Sequence, residues 1–252
     1  MDHLSGKTIL VTGASRGIGA SVARELSDRG ANVVAQYNTS SAGADEATAG
    51  ASDRLLVPAD FSDPRAAAAL WDTALNWRGR IDAVICNAAV MPEVDFDAPD
   101  TDWAATWDLA IQVNTRAPSD LTRRAVQHYL KTGGGVIVGL SSWAAQRGAS
   151  NARLAAYSAS KAGYAAMLKT IARAYASRNV LAYLIAPGVV KTDMSYTAAA
   201  SSGGVDKLTA TLAMGEWVPP AEIAILVGML CEGRLRHLTG ATLDVNGASY
   251  VR

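Results

Sequence analysis

Three observations predict an α/β fold, a doubly wound parallel sheet of about seven strands with helices on both faces. Short β-branched runs alternate with longer stretches of helical periodicity almost throughout, from Lys7–Thr12 to Thr242–Val245. Half of the 252 residues are hydrophobic, and no linker, repeat or domain break interrupts them, so residues 1–252 read as one domain. Thr12, Asn87, Ser142 and Pro187 each fall just past a strand end. Right-handed crossovers bring all four to the carboxyl edge of the sheet, where folds of this Rossmann type take their ligands.

Taken in order, Lys7–Thr12 is short, β-branched and ended by Gly13, as a buried strand requires. Ile18, Val22, Ala23 and Leu26 recur at helical spacing, and Gly30 closes that helix. Asn32–Gln36 reads as the second strand, and the alanine-rich, polar Ser40–Ala51 as a short helix with a loose loop. Arg54–Val57 is the third strand. The helix after it is expected to run to Trp77, with Asp63 as N-cap and Pro64 in its first position. Asp82–Cys86 is the fourth strand, Pro92–Asp102 a polar loop in which Asp100 and Asp102 act as caps, and Trp103–Lys131 one long helix. Gly133-Gly134-Gly135 turns the chain into the fifth strand, Val136–Leu140. A second long helix covers Leu154–Arg178, and Val180–Ile185 is the sixth strand. Ser195–Glu216 is weakly periodic, Pro219-Pro220 opens a helix reaching Cys231, and Asn246-Gly247 turns the chain away after the last strand.

The charge balance, 23 basic against 23 acidic side chains, argues against nucleic acid or an anionic membrane as partner. No window is long and apolar enough to span a bilayer. The stretch Met1–Lys7 is not read as a signal peptide, because the first apolar run is only Thr8–Thr12. Cys86 and Cys231 lie in apolar surroundings without CxxC spacing, which suits reduced core residues of a cytoplasmic protein. His3, His128 and His237 match no metal spacing, so no metal is expected and each is assigned a surface or structural role. Trp71, Trp77, Trp103 and Trp107 fall on helices and are assigned to core or interface.

Two stretches carry chemistry. In Tyr157-Ser158-Ala159-Ser160-Lys161 a tyrosine and a lysine stand four apart, on one face of a helix. A nearby ammonium favours phenolate, so the Tyr157 pKa is expected to fall from about 10 toward neutrality, as proton transfer at physiological pH requires. The turn Thr12-Gly13-Ala14-Ser15-Arg16-Gly17-Ile18-Gly19 opens the first βα unit; its glycines let the backbone approach a pyrophosphate at a helix N-terminus.

These residues, with others in the same order, resemble the short-chain dehydrogenases/reductases of the single-domain type, especially their 3-oxoacyl-carrier-protein reductase branch. The resemblance covers essentially the whole chain. It runs through the TGxxxGxG turn, Asp60, Asn87-Ala88-Ala89 where the family usually has NAG, Asn114, Ser142, Tyr157 with Lys161, Pro187-Gly188 with Thr192, and the LTGxTLxVNG segment at Leu238–Gly247.

The resemblance implies an oxidoreductase moving hydride between NADP(H) and a small-molecule carbonyl or secondary alcohol. Tyr157 would exchange the proton, Ser142 would hold the substrate oxygen, and Lys161 would lower the Tyr157 pKa and bond the nicotinamide ribose. The family's asparagine at the place of Asn114 orders a water that relays protons to the lysine. Asp60 would receive the adenine amino group, Thr192 the carboxamide, and Asn87 would lie against the adenosine ribose. The implied cofactor site comprises Gly13, Ser15, Arg16, Gly17, Ile18 and Gly19, then Tyr37, Asn38, Thr39 and Ser40 at the end of the second strand. Asp60 and Phe61, Asn87, Ala88 and Ala89, Tyr157 and Lys161, and Pro187, Gly188, Val190 and Thr192 complete it.

NAD is usually recognised by a carboxylate at the end of the second strand. Alignment on Gly30-Ala31 puts Tyr37 there, and Arg16 is within reach, so NADP(H) is the expected cofactor. Trp143, Met194 and Trp217 are candidates for the substrate pocket, with 194–217 as a lid over it. Arg147 is read as an exposed loop residue, with contact to an acidic substrate as the alternative.

The family also implies a homotetramer that pairs the tyrosine-bearing helix, where Ala162, Ala165, Ala166 and Ala172 would permit close approach. Three departures stand out: a two-residue insertion in the loop Ala149–Arg153, Ala89 for glycine, and Tyr183 in place of the family's asparagine. Ser141 is a rival to Ser142. The alternatives carried are a non-catalytic NAD(P)-sensing protein of the same fold and, with no Tyr-Lys role or C-terminal substrate domain to support them, a methyltransferase or epimerase.

Overall fold

The computed structural model describes residues 4–201 and 203–251; His3, and Ser202 in the irregular stretch, lie outside them. β1 (Thr8–Val11), β2 (Asn32–Tyr37), β3 (Asp53–Pro58), β4 (Ala83–Cys86), β5 (Gly135–Leu140), β6 (Val180–Pro187) and β7 (Thr242–Val245) form one sheet in the order β3-β2-β1-β4-β5-β6-β7. Every pairing is parallel. The chain winds outward from β1 to β3, then returns to lay β4 on the other side of β1. That reversal opens a crevice at the carboxyl ends of β1 and β4.

Side chains alternate between two cores, as strand geometry demands. Ile9 and Val11 face α1 (Gly17–Asp28), α2 (Ala42–Ala47) and α10 (Pro220–Cys231), through Val22, Leu26, Ala44 and Val227. Leu10 faces α3 (Ala66–Arg78), α5 (Ala117–Thr132) and α7 (Ala155–Tyr175), through Leu70, Leu121 and Leu168. The central strands β1, β4 and β6 are buried along their whole lengths. That explains why they read as continuous apolar runs and not as alternating ones.

Several boundaries differ from expectation. The helix after β3 starts at Ala66, not Pro64: the Asp63 carboxylate accepts the Arg65 amide at 2.9 Å in a turn that ends before the helix begins. Asp63 is therefore a turn residue just ahead of the helix, and the N-cap position falls to Arg65. The long helix expected from Trp103 begins at Asp100 as α4 (Asp100–Ile111), with Asp100 and Asp102 in its first turn and no side-chain cap. A wider π turn, Gln112–Arg116, joins α4 to α5. The polar stretch expected as a helix over Ser40–Ala51 is helical only over Ala42–Ala47. The weakly periodic segment carries two helices, α8 (Asp193–Ser201) and α9 (Val205–Thr209). A one-turn helix, α6 (Ala144–Arg147), and a 3-10 turn, Ala152–Leu154, fill the approach to α7.

Trp71 is buried against α5, its ring edge-on to His128, whose Nε2 accepts the Ile81 amide at 3.3 Å. Trp103 and Trp107 instead form a row with Phe96, which is 68% exposed. Ala172 points into the core; of the four alanines expected to admit a second helix, Ala166 is the exposed one. No helix among the described residues is long and apolar enough to cross a membrane.

Tyr183 is fully buried on the α10 face of β6, away from α7, and its hydroxyl donates to the Leu235 carbonyl at 3.0 Å. It substitutes for the family's asparagine without entering the site. Tyr183→Phe leaves that carbonyl short of a donor, so the urea midpoint should fall by the equivalent of about 1–2 kcal/mol, while turnover stays at the wild-type level.

Candidate active site

The floor of the crevice is polar and tightly bonded. The Thr12 hydroxyl donates to the Ile85 carbonyl at 3.1 Å and accepts the Asn87 and Ala88 amides at 2.9 and 3.0 Å. The Asn87 side-chain amide returns to the Thr12 carbonyl at 2.9 Å and the Gly13 carbonyl at 3.3 Å. The glycine turn therefore hangs on β4 as well as on β1. Gly13 and Gly17 adopt φ of 67° and 55°, which favours glycine. At Gly19 the constraint is space, since a Cβ there would run into the Gly13 carbonyl oxygen.

Gln36, which the sequence reading passed over, ties this turn to the next strand. Its Oε1 accepts the Gly13 amide at 2.7 Å and its Nε2 donates to the Ala59 carbonyl at 2.7 Å, and it is buried. Its place as the last residue of the expected second strand, one before Tyr37, is the signal that marks it in the sequence.

A cavity of about 510 Å³ extends from this turn to Tyr157, within the size range of ligand pockets. Its walls include Gly13, Ser15, Arg16, Gly17, Ile18, Asn38, Asp60, Phe61, Asn87, Ala88 and Ala89, and at the other end Ser142, Tyr157, Lys161, Pro187, Gly188, Val190, Thr192 and Met194. Ser141 lines it beside Ser142, so the wall takes in both serines. Leu109, Val113 and Asp193 line it without having been singled out beforehand. Tyr37, Thr39 and Ser40 do not line the cavity. Tyr37 packs partly buried against the α1 core, because alternation along β2 turns Gln36 and Asn38 toward the opening instead. Gly19 is one layer back, against Gly13 and Asn87.

Trp143 and Trp217 are also off the cavity wall. Trp217 is buried with Ala199 and Leu212, its indole N–H donates to Thr209 at 2.7 Å, and its ring stacks on Tyr196 at 4.7 Å. Trp143 packs on the same cluster and carries Arg147 4.0 Å over its ring. Both tryptophans therefore serve the small core formed by Ala199 and Leu212, not the cavity wall. Arg147 is exposed and absent from the lining.

The start of α1 has no side-chain cap, and its first turn holds no acid. Its leading amides lack carbonyl partners a turn earlier and open onto the cavity beside Arg16. Such an end suits an anionic group, and the dimensions suit an extended dinucleotide, so these residues fit a nicotinamide cofactor.

At the opposite end, Lys161 is 5% exposed and donates to the Leu140 carbonyl at 2.7 Å. Burial lowers its pKa to about 8. Burial raises the Tyr157 phenol, opposed by a hydrogen bond with Ser142, and Lys161 is not among the influences on it. The expectation that Lys161 depresses the Tyr157 pKa is therefore not met in this state: the low dielectric disfavours both charged forms, and the ammonium is directed to a carbonyl.

Asn114 lies in the π turn, 1% exposed and off the cavity wall. Its side chain accepts the Val90 amide at 2.9 Å and donates to the Val90 carbonyl at 2.8 Å and to Ser160 Oγ at 3.0 Å. Ser160 in turn donates to the Tyr157 carbonyl at 2.8 Å. The Asn114 side chain thus braces the helix that carries Tyr157 and Lys161.

The depressed Lys161 pKa fixes a sign. Below pH 8 the folded protein holds a buried ammonium at full cost. Between about 8 and the unfolded value of about 10.4, the unfolded chain binds a proton that the folded one does not, so stability rises with pH through that window. Urea unfolding of wild type and Lys161→Met at pH 7, 9 and 10 should show the difference moving in favour of wild type above pH 8; a constant difference would contradict the buried-ammonium account.

Comparison with known proteins agrees with this geometry. A family model described as enoyl-(acyl carrier protein) reductase matches residues 13–248. A 3β-hydroxysteroid dehydrogenase of Eggerthella lenta is 32% identical over 98% of this chain and 94% of its own. A 3-oxoacyl-[acyl-carrier-protein] reductase of Staphylococcus aureus is 30% identical over 97% of this chain and 98% of its own. Among solved structures, a 3-oxoacyl-(acyl-carrier-protein) reductase of Agrobacterium tumefaciens with NADP bound superposes with a TM-score of 0.87, at 26% identity over 97% of this chain and 94% of that one. A 3-ketoacyl-(acyl-carrier-protein) reductase of Brucella melitensis complexed with NADH superposes with a TM-score of 0.85, at 25% identity over 98% and 99%. With a Rossmann-type sheet, a site fit for a nicotinamide cofactor and relatives of this kind along its whole length, the chain belongs to the short-chain dehydrogenase/reductase family of oxidoreductases.

Proposed function

We propose that the protein is an NADP(H)-dependent carbonyl reductase or secondary-alcohol dehydrogenase acting on a small molecule. The observation that carries the reading is that Ser142, Tyr157 and Lys161 share one cavity with the uncapped start of α1. A bound nicotinamide supplies or accepts the hydride. The Tyr157 hydroxyl gives its proton to the substrate oxygen as negative charge grows there, or takes it back in the reverse direction. The Ser142 hydroxyl donates to the same oxygen and so stabilises the transition state more than the ground state. Lys161 has three N–H donors and directs one to Leu140, which leaves donors for ribose hydroxyls. Asp60, on the rim, accepts the Ser62 amide through Oδ1 and keeps Oδ2 for an adenine amino group.

NADP(H) is favoured by the absence of a carboxylate at position 37, by Asn38 on the wall and by Arg16 at the rim. A guanidinium–phosphate contact is worth on the order of a few kcal/mol when partly shielded. The solved relatives include one with NADP and one with NADH. Residues 194–217 act as a lid, with Met194 on its inner side and Trp217 at its own small core. Two free, buried cysteines suit the cytoplasm, where we place the protein.

A tetramer of this family would pair the tyrosine-bearing helix α7 and pack the last strand across a second interface; α4, which packs beside α7, exposes Leu109 and Ile111, and Phe96 in the loop before it is exposed too. Light scattering at micromolar concentration should give the mass of four chains; a monomeric mass would refute that assembly.

Following NADPH absorbance with a panel of ketones separates catalysis from cofactor sensing. Wild type should turn over at least one ketone and prefer NADPH to NADH by at least about tenfold in kcat/KM, near 1.4 kcal/mol. Tyr157→Phe removes only the transferable proton, so kcat should fall below about a tenth of wild type, or more than 1.4 kcal/mol in barrier, with cofactor binding retained. A Tyr157→Phe enzyme above that level would remove the tyrosine from the role of acid.

A further inference from the structure

Asp193 opens α8 across the cavity mouth from the glycine turn, and both line the cavity. Its Oδ2 lies 3.9 Å from Nη1 of Arg16, with the two side chains 77% and 76% exposed. Next to this pair Gly17 faces the Thr192 side chain: a Cβ on Gly17 would stand 3.0 Å from Thr192 Cγ2. Thr192 also steadies the start of α8, its Oγ1 accepting the Ser195 amide at 3.4 Å and lying 3.2 Å from Ser195 Oγ. Among the described residues, Asp193 is the acidic side chain within ion-pair distance of Arg16.

Resting on the reading of Arg16 as a 2′-phosphate ligand, we infer that Asp193 is a residue determining cofactor specificity, competing with the 2′-phosphate for the Arg16 guanidinium. Without a 2′-phosphate in the site, Asp193 holds Arg16 toward the lid. A phosphate with close to two negative charges attracts the guanidinium more strongly than one carboxylate and draws it to the adenosine end. This competition weakens binding of a 2′-phosphorylated dinucleotide and does not act on one with a free 2′-hydroxyl, which does not recruit Arg16. The pair links the adenosine end of the site to the lid over its other end. Because the pair is exposed to water, its effect is modest, on the order of twofold to fivefold in affinity.

The experiment is a calorimetric cycle measuring Kd for NADPH and NADH with wild type, Asp193→Asn, Arg16→Ala and the double variant. Asp193→Asn should raise the ratio of the NADH Kd to the NADPH Kd by about twofold to fivefold. In the Arg16→Ala background the same change should lose most of that effect. Asp193→Ser repeats the test with a side chain that cannot make the contacts of an amide. If both Asp193 variants leave the ratio unchanged while Arg16→Ala collapses it, the competition is wrong and the 2′-phosphate site stands. If Arg16→Ala itself leaves the ratio unchanged, Arg16 does not read the 2′-phosphate, and both ideas fall.

Discussion

The hydrogen-bonded knot between Thr12 and Asn87 is the constraint on which the rest of the site depends. At the reversal of strand order, β1 and β4 are neighbours whose following segments leave in opposite directions. A gap there would expose strand-end amides and carbonyls to a crevice, each needing a partner. The Thr12 hydroxyl and the Asn87 amide supply those partners at 2.9 to 3.3 Å and hold the glycine turn in place. With the turn held, α1 can begin without a side-chain cap and present its first amides to the cavity. Gly19 lets that helix lie directly on the Gly13 carbonyl.

A second brace serves the catalytic end. The π turn at Gln112–Arg116 directs Asn114 inward, where Val90 and Ser160 take up its amide. Thr115 adds a bond from its hydroxyl to the Ser160 carbonyl at 2.8 Å. These contacts fix α7 relative to the β4 loop, so Tyr157 and Lys161 are set from outside their own helix. The turn before α7 is tied to the segment after β4 by ions: Arg153 pairs with Glu93 at 3.0 Å and Asp95 at 3.1 Å, and its carbonyl accepts the Val94 amide at 3.2 Å. Rigid supports of this kind keep reacting groups in register without ordering them at each turnover.

The electrostatic state of the site follows from burial more than from the pairing of Tyr157 with Lys161. Burial disfavours the charged form of each: the lysine pKa falls to about 8, so it keeps its ammonium below that pH, and the phenol lies above its ordinary value. A cofactor carrying negative charge would stabilise the ammonium, and the cation would then favour phenolate. Cys86 extends the same apolar pocket behind Lys161, where burial pushes its thiol up to about 11.

Periodicity and strand-end residues were enough to determine the sheet, its winding and the edge that carries the site, because both rest on short-range rules: alternation in strands, 3.6-residue spacing in helices and right-handed crossovers. The ordered set Gly13, Asn87, Ser142, Tyr157 and Lys161 was legible through its resemblance to the short-chain dehydrogenases/reductases, with Asn87 and Ser142 also standing just past strand ends. Other features depended on packing between distant segments. The π turn leaves no periodic signature strong enough to separate it from the helices on either side. Asp63 closes a turn instead of a helix, a choice made by where the chain leaves β3. Trp143 and Trp217 pack on the small core of Ala199 and Leu212, where apolar burial is gained between elements distant in the chain. Gln36 turned inward, Tyr37 turned to the core, and Asp193 came opposite Arg16. Those three outcomes were decided only by tertiary structure, because facing directions and cross-cleft distances arise when separate elements pack together.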